Sequence, residues 1–102
     1  MRREVLEPSN IDEIARFVAE YSNIPYESML SSSRKRAVSK AKAITAVLCA
    51  RNGASVSAAA RLFGRSRSTL IERADRYHET QPQLFANAEH ALKVHLERTR
   101  RS

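Results

Sequence analysis

Two glycines and three prolines are the only strong helix breakers in the 102 residues of this chain. They fall between stretches whose apolar side chains recur every three or four positions, a period that suits helices and not strands. Ile11, Ile14, Ala15 and Val18 follow Ser9 and Asn10, either of which serves as an N-cap, and this first helix is predicted to end near Tyr21. Asn23 and Pro25 break it, and Pro25 at a first helical position opens a short turn of helix through Tyr26, Met29 and Leu30. A polar, basic loop, SSSRKR, leads into the longest helix, from about Lys35 to Arg51. Val38, Ala41, Thr45 and Leu48 form its stripe and Ile44 and Val47 widen it, so the second half is predicted to be the buried centre of the fold.

Asn52 and Gly53 end that helix in the usual C-terminal manner. Ser55 or Ser57 then caps a short helix with Val56, Ala59, Ala60 and Phe63 facing inward. Gly64 stops it, and Ser66 caps a further helix in which Leu70, Ile71, Ala74 and Tyr77 point inward. Two helices joined by so tight a turn make a helix-turn-helix. Pro82 begins a last amphipathic segment with Leu84, Phe85, Ala88, Ala91, Leu92 and His95 inward, expected to fade into a frayed tail, RTRRS. The expectation is an all-α helical bundle and a single domain over 1–102, with its helix-turn-helix core at 11–79 and a C-terminal helix and basic tail at 81–102.

Charge is divided unevenly along this chain. Residues 1–30 carry a net charge of −3 and residues 77–102 a net charge of +1, whereas residues 31–76 carry +9. A basic block coinciding with the helix-turn-helix marks a face for a polyanion. No stretch approaches the length of a membrane span, and MRREVLEPSN lacks the apolar region of a secretory signal, so a cytoplasmic, nucleoid-associated protein with no membrane contact is expected. The lone Cys49, among Val47, Leu48 and Ala50, is expected to be a buried thiol.

In a helix-turn-helix the second helix enters the major groove and its first residues touch base edges. The stretch LFGRSRSTL occupies that place, and arginine can bond guanine O6 and N7 together, so Arg65 and Arg67 are the leading base-reading candidates, with Ser68 and Thr69 beside them. Ser66 is a cap and a phosphate contact in the same turn, and Ser57 and Arg61, on the first helix of the pair, are further phosphate candidates. Arg73 and Arg76 lie close to Glu72, where intrahelical ion pairs compete with phosphate contact. In the basic loop, Arg34 is expected to enter a neighbouring minor groove, while Lys35, Arg36, Lys40 and Lys42 hold phosphates.

The succession AEY, basic loop, long apolar helix and FG turn, over residues 11–79, resembles the C-terminal DNA-binding domain of the bacterial replication initiator DnaA. The resemblance implies an all-α bundle similar to the Trp repressor, with Arg34 matching a loop arginine that enters the minor groove and the stretch after the FG turn reading the major groove. That family's pattern has two glycines and then Arg-Asp-His-Thr-Thr. Here only Gly64 is present, and Arg65 and Thr69 match while Ser66 replaces the aspartate and Arg67 the histidine. An acceptor suited to cytosine is lost and a group suited to guanine is gained. Related domains occur in transposases of repetitive extragenic palindromes, and Arg-Ser-Arg-Ser-Thr fits such a relative.

No Gly-rich phosphate-binding loop followed by Lys-Ser/Thr occurs, so no nucleotide cofactor is expected. His78, His90 and His95 lack the partners and spacing of a zinc site, and no enzyme activity is expected. The rival readings are RNA binding, which the few aromatic residues disfavour, and a protein-interaction module. In the latter, the C-terminal helix docks a second copy or a larger protein. Double-stranded DNA is the favoured partner.

Overall fold

A computed structural model describes residues 8–31 and 35–101, which form six helices and no strand. They are α1 (Pro8–Tyr21), α2 (Tyr26–Leu30), α3 (Arg36–Arg51), α4 (Val56–Leu62), α5 (Arg67–Thr80) and α6 (Pro82–Arg101). The expected all-α bundle with a helix-turn-helix, α4 and α5, is what forms. Every other helix packs on α3, the predicted centre. Its Ala41, Ile44, Thr45, Leu48 and Cys49 are buried, and the Thr45 hydroxyl is satisfied by donating to the Ala41 carbonyl at 2.9 Å. Burial pushes the Cys49 thiol up to about 12, so at neutral pH it stays protonated and behaves as a small apolar side chain.

Three helix ends are closed by the same device. Asn23, Gly53 and Gly64 take φ values of 60°, 78° and 66°. In each case the next amide reaches back to the last turn: Ile24 to the Ala19 carbonyl (2.9 Å), Ala54 to Cys49 (2.7 Å) and Arg65 to Ala60 (2.9 Å). A Cβ on Gly64 would meet nothing within 4 Å. The backbone angle alone therefore selects glycine at the turn between α4 and α5.

The start of α1 differs from expectation. Pro8 lies inside the helix, so Ser9 and Asn10 occupy its first turn instead of capping it. Proline's fixed φ suits that turn, and its missing N–H is one that a helix start leaves unbonded anyway. Tyr26 of α2 is tied to α1 by a hydrogen bond from its hydroxyl to Asp12, and the Arg16 guanidinium lies over its ring, 4.2 Å from the centroid. The bonds from Tyr26 and Arg16 hold the Asp12 carboxyl below the usual carboxylate range.

The last helix is an integral part of the bundle. Phe85, Ala88 and Leu92 are at most 1% exposed, and α6 packs on α1, α3 and α5. Arg51 pairs with Glu89, His78 stacks on Phe85, and the His95 ring lies 5.0 Å from that of Phe17. The apolar face offered to a second copy in the sequence reading is thus covered by the chain's own helices. The helix extends through Arg101. Among the described residues no helix is long and apolar enough to cross a membrane.

Candidate nucleic-acid interface

Packing and capping together aim the start of α5 outward. Phe63 is buried at the end of α4 and Leu70 is buried one turn into α5, so the turn between them is pinned at both ends. Ser66 accepts a hydrogen bond from the Thr69 amide at 3.1 Å and donates its own proton to the Thr69 hydroxyl at 2.8 Å. Ser66 thus both donates and accepts within the cap, and the Thr69 hydroxyl, which accepts from it, keeps its own proton for another acceptor. Arg67 and Ser68 are exposed, Arg65 and Thr69 half-buried. The Arg67 and Ser68 amides, in the first helical turn, have no intrahelical carbonyl to bond.

The start of α3 lies alongside. Lys35 supplies no side-chain cap and the first turn of α3 holds no acidic residue, so neither offsets the positive end of the helix dipole beside Lys35 and Arg36, both exposed. Arg36 and Thr69 line one open cleft together with Glu72, Arg73, Arg76 and Tyr77, about 600 Å³ in volume. Basic groups from α3 and α5 therefore converge on one surface. Lys40 is half-buried, its Nζ 3.4 Å from Gln81 Oε1 across the same junction. Arg34 lies outside the described residues.

Lys42 departs from its expected place among the phosphate contacts. It is only 2% exposed, and its Nζ donates to the Ser31 carbonyl at 2.8 Å and lies 5.9 Å from the centre of the Phe63 ring. The reason is helical register: Lys42 stands four residues after Val38 and three before Thr45, within the buried arc of α3. Burial, and then the charges of Arg65 and Arg73, hold its pKa below the usual lysine value. A charged Lys42 therefore costs folding energy. Lys42→Met, which keeps the buried stem, is expected to raise stability at pH 7 by about 1 kcal/mol in urea unfolding. The folded pKa lies below the unfolded one, so in the interval between them the unfolded chain binds more protons and the natural chain gains stability as pH rises. The advantage of the variant should be greatest near neutrality and shrink toward pH ~10.4, the ordinary lysine value.

Arg61 is exposed on α4 and borders a shallow groove with Ile11, Asp12, Ala58 and Leu62. Ser57 is also exposed on α4, and the cap of that helix is Ser55, whose hydroxyl accepts from the Ala58 amide at 3.1 Å. For Arg73 and Arg76 the sequence leaves open both phosphate contact and intrahelical ion pairs with Glu72. Among the described residues neither arginine is ion-paired, and the Arg73 guanidinium is directed toward α3, 3.5 Å from Ser39 Oγ. The signal was present in the spacing, since Thr69, Arg73, Arg76 and Thr80 follow one helical stripe beside the buried Leu70 and Ala74 and the half-buried Tyr77. Among the described residues no three His, Cys, Asp or Glu side chains are grouped to hold a metal.

The profile of the bacterial DnaA protein helix-turn-helix matches residues 11–76, from α1 through most of α5. No individual curated protein and no solved structure matches the chain.

Proposed function

The chain belongs to the bacterial DnaA helix-turn-helix family, and from that premise we propose that it binds duplex DNA with a sequence preference, α5 entering the major groove. The supporting observation is the exposed first turn of α5, where the cap made by Ser66 leaves Arg67 and Ser68 directed outward on a basic surface. In this reading Arg65, Arg67, Ser68 and Thr69 meet base edges, and Arg34 enters the adjacent minor groove. Lys35, Arg36, Lys40, Ser57, Arg61 and the capping turn at Ser66 hold the backbone on either side. The act is the same whether the chain serves as a DnaA-related regulator or as the targeting domain of a transposase-like protein.

Selection from random duplexes, followed by footprinting of the preferred site, tests the proposal. An enriched sequence should emerge, protected across a major groove and its neighbouring minor groove. With about five or six phosphates neutralised, affinity should fall with a log–log salt slope of roughly −5. Failure to enrich any sequence, or preference for single-stranded RNA over every duplex, would overturn it.

A further inference from the structure

We infer that the cleft between the start of α3 and the outer flank of α5 is a clamp for the DNA backbone strand bordering the major groove, with Arg36, Arg73 and Arg76 as its phosphate-binding groups. The inference rests on the reading of α5 as the groove-entering helix. Two observations carry it independently. The first is the composition of the cleft: three guanidinium groups face a single carboxylate, Glu72, and among the described residues neither Arg73 nor Arg76 is neutralised by an ion pair. The second is the N-terminus of α3 on the opposite wall, whose first turn holds no acidic side chain and whose N-cap residue, Lys35, makes no side-chain cap.

Position decides which anion is meant. Thr69 belongs both to the first turn of α5 and to the cleft, so the cleft begins where the base-reading turn ends. A helix lying in the major groove has a phosphate strand along each flank, and the basic wall formed by α3 stands on one of those flanks. Arg73 leans toward α3 at Ser39, and Arg76, about one helical turn further along α5, lines the same cleft, so the two residues succeed one another along it. Such a row suits successive phosphodiesters better than one small anion. Glu72, immediately before Arg73 in sequence, opposes the phosphates and weakens indiscriminate binding.

The test compares the natural chain with Arg73→Gln/Arg76→Gln and with Glu72→Gln on a mixed-sequence duplex across a salt series. Loss of both arginines should make the log–log slope shallower by about 2, near one unit per contact. Glu72→Gln should tighten binding several-fold, a gain that misfolding cannot imitate. Neutral methylphosphonate linkages along the strand flanking the selected site should weaken the natural chain markedly more than the double variant, which keeps only Arg36 of the three groups. Duplex binding by the natural chain with an unchanged slope in the double variant, or equal losses for both proteins on the neutral strand, would overturn the clamp while leaving the DNA-binding reading intact. Absence of salt-dependent duplex binding by the natural chain would overturn both.

Discussion

Phe85→Ala is expected to lower the stability of the whole domain by about 3–5 kcal/mol, measured by urea unfolding of the full chain. The side chain is fully buried, it belongs to the same apolar cluster as Ile44, Leu48 and Leu70, and the His78 ring stacks on it from α5, 5.6 Å between centroids. Alanine removes most of a ring whose surroundings come from several helices, and such a site collapses only partly. A domain of this size has roughly 5–15 kcal/mol to lose, so a substantial unfolded population should appear under mild conditions. The prediction discriminates between two views of α6, which lies outside the matched residues 11–76. Were α6 an appendage or a docking arm, Phe85→Ala would leave the melting of the helix-turn-helix unchanged. Since α6 covers α1, α3 and α5, a single transition should move to lower urea, and its midpoint should not depend on protein concentration.

What was legible in the sequence is what local chemistry decides. Gly64 and Ser66 fix the end of α4 and the start of α5 because a positive φ and an N-cap are demands that a few residue types meet within one turn of chain. The apolar stripe of α3 announced its central place for a similar reason, since a helix with so broad an apolar arc must be covered on most sides. Tertiary choices were less legible. The apolar stripe of α6 says that something covers it, but only packing determines that the cover is the chain's own α1, α3 and α5. Lys42 was counted by its charge, although its register with Val38 and Thr45 places it inside, where a long apolar stem and one carbonyl, that of Ser31, make burial tolerable. The cleft was missed because Arg36 and Arg73 are far apart in sequence and meet only when α3 and α5 pack.

Arg67→Ala is expected to reduce discrimination at one or two base pairs of the selected site by about 1–3 kcal/mol, roughly 5- to 150-fold, with a much smaller effect on mixed-sequence DNA. Arg67 is the first residue of α5 and is exposed, whereas the cap is the work of Ser66 and the anchoring that of Phe63 and Leu70. Truncating the side chain therefore removes a guanidinium without disturbing the helix that carries it, and the melting temperature should hardly change. Arg67→Lys separates reading from charge, since an ammonium keeps the attraction to phosphates but lacks the planar pair of donors that fits guanine. If Arg67 reads a base, lysine should restore general affinity and the salt slope but not the lost preference. If it serves only as a positive charge, lysine should restore everything, and alanine should weaken all duplexes by the same factor. The same contrast applied to Arg65, half-buried and following the turn glycine, would show whether one arginine or both set the preferred sequence. Selection repeated with each variant measures this directly, because a lost contact appears as a single relaxed position in the enriched site.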